Sequence, residues 1–294
     1  MQNSRSLHLS DRDFQQWADD GYVICRQLWR PEEVVRLKEA MDVIGRSWSP
    51  IAGHWEPDRG STDPLRRYPR IMQPHVFDPL SRSMLLDPRI EAATRQLLGE
   101  NAIAMQSMYY FKPPGGKGQA LHQDNFYLQV RPQTCLAAWT AVDPATPANG
   151  GLYVVPGTQD LEVQCPEVAD PEESFTTHFV RPPAGRKPVA AELEPGDVLF
   201  FNGRVVHGSR PNHTKDQWRR SFICHYAPES ARQISNHYQH TYRFDGSAYH
   251  GFDRVETGGP CGDAFPTIWP PADFNEARAA GLVPVAGGSL PEAD

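Results

Sequence analysis

The chain of 294 residues is predicted to be a mainly β protein, an antiparallel barrel or sandwich with flanking α-helices. Helical periodicity is confined to about the first hundred residues, whereas the chain from Asn101 onward consists of strand-length runs broken by Pro, Gly or Asn. The predicted strands are Ala102–Phe111, Asn125–Arg131, Thr134–Val142, Leu152–Val155, Val189–Leu193, Val198–Phe201 and Arg219–Tyr226. Short strands in this number are typical of an antiparallel barrel or sandwich.

The length and composition predict one domain, residues 1–294, without an internal linker. Residues 1–100 are expected to form a helical part packed on the barrel, and residues 101–228 the barrel itself. Residues 229–280 are rich in His, Tyr, Phe and Trp, and we expect a lid over the site; a packed extension or a homodimer contact is the alternative. Residues 281–294 are expected to be a frayed tail.

Three helices and a short strand are predicted before the barrel. Ser10 is placed to cap the first helix and Gly21 to end it, after which Tyr22–Ile24 form a strand. Pro31 opens a second helix with apolar residues at helical spacing, and a third helix is predicted at Pro88–Leu98. Their apolar faces are expected to serve packing rather than ligand binding.

Two metal-capable side chains, His122 and Asp124, stand two residues apart in Leu121–Tyr127. In a β-strand, residues i and i+2 point to the same face, so the imidazole and the carboxylate would converge. The best candidate for a third ligand is His207, which follows an apolar strand pattern. Two His and one Asp form the facial triad that binds Fe(II) and leaves open positions on the ion.

A cationic residue follows the third ligand by twelve positions. Arg219 stands at the head of a predicted strand, and its guanidinium can bind a carboxylate bidentately. A 2-oxo acid that chelates iron leaves a distal carboxylate for such an anchor. Arg220 is the rival candidate, but strand alternation places the two arginines on opposite faces, so only one can point inward.

The same region carries a series of short motifs. They are Lys112-Pro113-Pro114, His122-Gln123-Asp124, Trp139-Thr140-Ala141, Asn149-Gly150-Gly151, Pro156-Gly157-Thr158, His207-Gly208-Ser209, Arg219 and His225-Tyr226. In order and spacing, over about residues 100–228, the chain resembles the phytanoyl-CoA dioxygenase family of Fe(II)/2-oxoglutarate oxygenases. The resemblance implies a double-stranded β-helix, the cupin-like jelly roll, as the fold of the barrel.

The resemblance also implies the composition of the site. His122, Asp124 and His207 would hold Fe(II), Arg219 would anchor the cosubstrate 2-oxoglutarate, and O₂ would be the second cosubstrate. Further positions that match the 2-oxoglutarate pocket of the family are Met108, Trp139, Ser209 and Arg70. Because position 124 is Asp and not a small residue, hydroxylation is preferred to halogenation.

The expected reaction is oxidation of an unactivated C–H bond of a soluble small molecule, with release of succinate and CO₂. Desaturation, epimerisation, epoxidation and cyclisation start from the same chemistry, and the sequence does not separate them from hydroxylation. The candidate substrate contacts are Asn125, Tyr127 and Tyr110. Two other classes stay open, a cupin-like metal-dependent hydrolase or isomerase and a non-catalytic β-barrel that binds a small molecule, but neither gives Arg219 a task.

The charge and hydropathy of the chain limit its partners. With 29 Lys and Arg against 36 Asp and Glu, the net charge is −7, which argues against nucleic acid and does not favour an anionic CoA thioester. No apolar run is long enough for a membrane span, and the N-terminus lacks a signal core, so a cytoplasmic location is expected. The 5 cysteines form no Cys-x-x-Cys pair, and reduced, mostly buried thiols are expected.

Overall fold

The computed structural model describes residues 8–255 and residue 261. The α-helices are α1 (Asp11–Asp20), α2 (Pro31–Ser47), α3 (Pro64–Arg67), α4 (Pro79–Leu85), α5 (Pro88–Leu98) and α6 (Asp124–Leu128), with one 3-10 turn at Pro74–Val76. The strands before residue 160 are β1 (Tyr22–Cys25), β2 (Ile71–Met72), β3 (Ala102–Tyr110), β4 (Gln119–His122), β5 (Leu136–Ala141) and β6 (Leu152–Val154). The later strands are β7 (Glu167–Val168), β8 (His178–Phe179), β9 (Val189–Ala191), β10 (Val198–Asn202), β11 (His207–Ser209), β12 (Ser221–Pro228), β13 (Gln233–Ser235) and β14 (Asp253–Val255).

The N-terminal helices begin and end at the residues that the sequence predicted. Ser10 and Asp13 form a capping box at the start of α1, and Gly21 ends the helix in the left-handed conformation with φ 78°. Pro31 and Pro88 are the first residues of α2 and α5. The short helices α3 and α4, each capped by an Asp side chain, were not predicted.

Two antiparallel sheets form the core. The larger sheet has six strands in the order β1-β10-β5-β12-β3-β2, and the smaller has four in the order β4-β11-β6-β9. The chain passes from one sheet to the other between β3 and β4, β4 and β5, β5 and β6, β9 and β10, β10 and β11, and β11 and β12. This alternation of sheets is that of a jelly roll and confirms the predicted fold class.

Side chains of the six-stranded sheet alternate between two apolar layers. On β5, Leu136 and Ala138 pack with the helices α2, α4 and α5, whereas Ala137 and Trp139 pack toward the four-stranded sheet. The helices therefore cover the outer face, as predicted. The inner face is left to line the space between the two sheets.

One predicted strand is wrong. Residues 125–131 were expected to be extended because they are rich in aromatic and β-type residues, but Asp124–Leu128 is a short helix, ended by Gln129 with φ 52°. One helical turn buries all five side chains of α6, and this packing overrides the local β propensity.

The segment after β12 packs against the barrel as far as the structure describes it. Tyr242 exchanges both backbone hydrogen bonds with Ala104 of β3, and β13 pairs with β14 in parallel. Trp269, the remainder of the expected lid and the expected tail lie outside the described residues.

The expectation of reduced thiols is wrong for two cysteines. Cys165 and Cys261 form a disulfide that joins two segments 96 residues apart in the chain. Cys25, Cys135 and Cys224 are free and buried, as expected. Within residues 8–255, no helix combines the length and the apolar character that a membrane span requires.

Candidate active site

The candidate metal ligands come from the four-stranded sheet and the turn that follows β4. His122 ends β4 and lies directly opposite His207, the first residue of β11. Asp124 is the first residue of α6, and Gln123 before it is extended, with φ −117° and ψ 126°. The side chains of His122 and Asp124 therefore leave the chain on the same side, although only His122 lies in a strand.

The three side chains are buried, and their ligand atoms lie within 4.8 Å of one another. Nε2 of His122 is 3.4 Å from Oδ1 of Asp124, and Nε2 of His207 is 3.6 Å from the same oxygen. Nδ1 of His122 binds the carbonyl oxygen of Ala120 at 2.8 Å, and Nδ1 of His207 binds that of Val205 at 3.0 Å. These bonds hold the ring proton on Nδ1 and leave each Nε2 lone pair for a cation.

The donor set fits Fe(II). Two neutral imidazoles and one carboxylate on one face of an ion are the ligands of non-haem iron oxygenases. Burial lowers the pKa of His207 to about 4, although Asp124 opposes this, so the ring is neutral at pH 7 as a ligand must be. The Gln119 amide lies 3.0 Å from Nε2 of His122, and a bound metal would replace this contact.

Asp124 is oriented by a fourth residue, His225. Nε2 of His225 donates to Oδ2 of Asp124 at 2.9 Å, which leaves Oδ1 toward the two other imidazoles. Burial alone would raise the pKa of Asp124, but its interactions with His207, His225 and His122 hold that pKa well below the usual range. The carboxylate is therefore ionised and held in one orientation, which favours metal binding.

Arg219 is buried inside the barrel, and its hydrogen-bond partners are a carbonyl oxygen and a hydroxyl. It is 3% exposed; its Nε donates to the Gly150 carbonyl oxygen at 3.2 Å and its Nη1 to Oγ of Ser221 at 2.8 Å. Its Cζ is 5.4 Å from the centre of the Trp139 ring. Burial lowers the pKa of Arg219 to about 10, so the guanidinium is still charged at pH 7. Within the described ranges, no carboxylate lies within 4.0 Å of it.

Lys112 adds a second buried amine beside this guanidinium. Its Nζ donates to the carbonyl oxygens of Gly150 at 3.0 Å and Arg210 at 2.6 Å, and to Oγ of Ser209 at 2.9 Å. Gly150 has φ 76°, and a Cβ there would lie 2.5 Å from the Arg210 oxygen, so only glycine fits. Burial, reinforced by Arg219, holds the pKa of Lys112 well below its usual range.

Arg220 points to the other face of the sheet. Its Nε lies 3.0 Å from Oδ1 of Asp42 on α2, and its Nη1 lies 2.8 Å from Oδ2 of Asp143. Of the two neighbouring arginines, Arg219 therefore faces the triad and Arg220 is a structural ion pair, as strand alternation predicts.

The triad and Arg219 line one cavity of about 60 Å³ between the sheets. The expected cosubstrate residues Met108, Trp139, Ser209 and Arg70 also line it. Arg70 lies at one side, where its Nη1 donates to the Tyr110 hydroxyl at 3.2 Å and its Cζ is 5.4 Å from the Phe175 ring. Arg70, Tyr110 and Phe175 also line an adjoining pocket of about 260 Å³.

Only some of the three expected substrate residues line the cavity. Tyr127 lines the cavity, and its hydroxyl is 3.0 Å from Nδ1 of His178. Asn125 does not line it: its amide binds the backbone of Val130 at 3.0 and 3.1 Å and borders a separate surface pocket. The structure therefore brings Tyr110 and Tyr127, but not Asn125, to the cavity.

Several residues of the cavity were not among the predicted site residues. Those with polar side chains are Gln106, Gln119, His225 and Tyr238. Alternation along β3 from Met108 indicates Gln106, and even spacing from Arg219 indicates His225. No local pattern indicates Tyr238, because it comes from the segment between β13 and β14.

Comparison with known proteins gives the family. The family model described as "Phytanoyl-CoA dioxygenase (PhyH)" matches residues 17–221. Phytanoyl-CoA dioxygenase 1 of Oryza sativa subsp. japonica is 30% identical over 142 residues, 47% of this chain and 50% of that protein. Phytanoyl-CoA dioxygenase domain-containing protein 1 of Danio rerio is 26% identical over 265 residues, 74% of this chain and 89% of that protein. The alignment thus spans half of the rice protein and most of the zebrafish protein.

The fold of the chain is also similar to that of a solved structure. EvdO2 from Micromonospora carbonacea var. aurantiaca, in a crystal structure with 2-oxoglutarate, superposes with a TM-score of 0.58 and 25% identity over 76% of this chain and 96% of that one. The match of the family model covers more than half of the sequence, and the jelly roll and the donor set agree with it. The chain belongs to the phytanoyl-CoA dioxygenase family of Fe(II)/2-oxoglutarate-dependent dioxygenases.

Proposed function

We propose that the protein oxidises an unactivated C–H bond of a small molecule, with hydroxylation as the expected outcome, while 2-oxoglutarate and O₂ are converted to succinate and CO₂. One observation carries this proposal. A buried triad of two His and one Asp shares a single cavity with a buried guanidinium that has no carboxylate partner within residues 8–255. The first group suits Fe(II), and the second suits the distal carboxylate of a 2-oxo diacid.

Each part of the cavity has a distinct task. Bound Fe(II) supplies the redox chemistry that couples decarboxylation of 2-oxoglutarate to oxidation of the substrate. His122, Asp124 and His207 hold the metal, and His225 keeps the Asp124 carboxylate in position.

Arg219 binds the cosubstrate carboxylate. Nζ of Lys112 lies 2.9 Å from the Ser209 hydroxyl, beside the same carbonyl oxygen that Arg219 contacts. Trp139 and Met108 form apolar walls that exclude water from the reacting groups.

The substrate enters through the pocket beside Arg70, where Tyr110 and Phe175 present aromatic surface. A net charge of −7 supports a small molecule, including a specialised metabolite, over nucleic acid. A cytoplasmic location and a monomer or homodimer are part of the same proposal. The disulfide between Cys165 and Cys261 weighs against that location, because such bridges are rare in reducing compartments.

Release of labelled CO₂ from 2-oxoglutarate labelled at C1 tests the proposal without knowledge of the substrate. We expect slow release that requires both Fe(II) and O₂ and is lost in His207→Ala. His213→Ala is the matched control, because His213 is exposed in a turn away from the cavity. A protein that binds zinc tightly and releases no CO₂ with Fe(II) would instead support the metal-dependent hydrolase, in which Arg219 has no task.

A further inference from the structure

One amide in the cavity is used neither by the triad nor by the cosubstrate anchor. Gln106, on β3, is 1% exposed and lines the cavity. Among the residues that the structure describes, neither Nε2 nor Oε1 of Gln106 has a hydrogen-bond partner. Directly opposite on β12 lies His225, whose Nδ1 also lacks a partner there. Buried polar groups without partners are unfavourable, so a ligand that satisfies them is the natural explanation.

The Gln106 amide and Nδ1 of His225 lie at the end of the cavity that is remote from Arg219. Arg219 precedes His225 by six residues, a separation of about 20 Å along an extended chain. His225 contacts Asp124, so Gln106 lies next to the triad on the side away from the guanidinium. A molecule bound to Gln106 would therefore be a neighbour of the metal and would leave the Arg219 end free for 2-oxoglutarate.

The hydrogen-bonding pattern defines the chemistry of that molecule. Nε2 of His225 lies 2.9 Å from Oδ2 of Asp124, and Nδ1 of the ring has no hydrogen-bond partner among the described residues. Gln106 adds one acceptor oxygen and two N–H donors. Acceptors and donors thus lie side by side, against a wall that includes the apolar side chain of Leu128.

The charged group that contacts this end is the Asp124 carboxylate, through His225. Of the arginines that line the cavity, Arg219 is at the opposite end and Arg70 is beside Tyr110 and Phe175. Tyr127 also lines the wall, but its hydroxyl is engaged by His178. A carboxylate or phosphonate offers only acceptors and would leave Oε1 of Gln106 without a donor. An alkyl chain would leave the Gln106 amide unpaired.

We propose that Gln106, together with His225, binds a neutral hydroxyl or carboxamide group of the substrate and so places the adjacent C–H bond at the metal. This inference rests on the proposed function and names its substrate class, a polyol, sugar or amide-bearing metabolite. Gln106 is then a specificity-determining residue. Its substitution should affect the substrate and leave the binding of Fe(II) and 2-oxoglutarate unchanged.

Thermal unfolding of the metal-loaded protein tests whether the amide has a structural role. Gln106→Leu removes an unpaired buried amide and should leave Tm unchanged or raise it. Gln123→Leu is the matched control, because Gln123 is equally buried but fully paired, with Nε2 bound to the Arg204 oxygen and Oε1 to the Gln164 amide, both at 2.7 Å. Its Tm should fall by roughly 2–6 °C. A comparable fall in Gln106→Leu would overturn the proposal.

The absorption band of the anaerobic complex with Fe(II) and 2-oxoglutarate separates this inference from the proposed function. Absence of the band in the wild type would contradict the proposed function itself. A band that is present in the wild type and weakened in Gln106→Leu would assign the amide to the cosubstrate and overturn only the inference. We expect equal bands and equal dissociation constants for 2-oxoglutarate.

Substrate-stimulated succinate release completes the test. The probes are three matched sets of small metabolites, namely polyols and sugars, primary and cyclic amides, and mono- and dicarboxylic acids. We expect stimulation within the first two sets and a kcat/KM about 10- to 100-fold lower in Gln106→Leu, with partial rescue in Gln106→Asn. Stimulation by the acids alone, a kcat/KM unaffected by Gln106→Leu, or no stimulation by any hydroxyl or amide compound despite an intact band would each overturn the proposal.

Discussion

The two faces of the six-stranded sheet differ in the partners that they give a buried cation, as the neighbouring residues Arg219 and Arg220 show. On the outer face, Arg220 lies within 3.0 Å of both Asp42 and Asp143. On the inner face, the hydrogen-bond partners of the Arg219 guanidinium within residues 8–255 are a carbonyl oxygen and a hydroxyl. A buried cation without an acid is unfavourable unless a ligand supplies the anion. The two residues are both arginine, so the binding site differs from the scaffold in whether the guanidinium has a carboxylate partner among the described residues.

Replacement of the inner arginine should have the largest effect on cosubstrate binding. Arg219→Met is expected to raise the dissociation constant of 2-oxoglutarate about 100- to 1000-fold, because it removes a charge-assisted bidentate contact. The stability of the protein without cosubstrate should not fall, because the residue removed is an uncompensated charge. Anaerobic titration with 2-oxoglutarate, together with urea unfolding, measures both. An unchanged dissociation constant would remove Arg219 from the site.

Replacement of the outer arginine should give the reverse result. Arg220→Met leaves Asp42 and Asp143 partly buried without their shared partner, and should lower the free energy of unfolding by about 2–4 kcal/mol. The dissociation constant of 2-oxoglutarate should stay within about threefold of the wild-type value, because the guanidinium faces away from the cavity. If Arg220→Met weakened 2-oxoglutarate binding as much as Arg219→Met, the contrast between the two faces would be lost.

The inner face also contains a group that acts on the metal through Asp124. His225→Phe removes the 2.9 Å hydrogen bond to Oδ2 of Asp124 and should lower the affinity for Fe(II) about 10- to 100-fold. His75→Phe is the control, since His75 is also buried but binds Ser107, outside the triad. Fe(II) titration followed by absorbance in saturating 2-oxoglutarate compares the two variants. Equal affinities would show that Asp124 needs no support from His225.

The smallest expected effect is on the pH dependence of stability, through the ion pair between Glu33 on α2 and Arg89 on α5. Burial would raise the pKa of Glu33, but hydrogen bonds from Arg89 and from the Arg30 backbone hold it at about 2. The unfolded carboxyl has a pKa of about 4.3, so the unfolded state binds more protons between these values and stability falls as pH drops from about 4.3 to 2. Over this pH range, we expect the free energy of unfolding to fall by about 1–2 kcal/mol less in Glu33→Gln than in the wild type. Glu32→Gln, at an exposed neighbour, should leave the pH profile unchanged.

Much of the architecture could be predicted because it is encoded locally. Ser10, Gly21 and Pro31 mark helix ends by their own backbone chemistry, and alternation decides between Arg219 and Arg220. Residues 124–128 were assigned wrongly because burial in the barrel outweighs their strand propensity.

Other features depend on contacts between distant parts of the chain. The Cys165–Cys261 pair spans 96 residues, and sequence does not fix which cysteines meet. Alternation along β3 places Gln106 toward the cavity, but the lack of partners for its amide among the described residues is visible only once the fold surrounds it.

The most direct test of the account is an anaerobic titration of the metal-free protein with Fe(II) and 2-oxoglutarate, in the wild type and in Asp124→Ala. If the cavity binds Fe(II) and 2-oxoglutarate, we expect a visible metal-to-ligand charge-transfer band in the wild type, formed with one equivalent of each component. The band should be lost or markedly weakened in Asp124→Ala. Asp143→Ala, which removes a carboxylate from the outer face only, should retain the band. Absence of the band in the wild type, with tight binding of zinc instead, would contradict the assignment of this cavity to Fe(II) and 2-oxoglutarate.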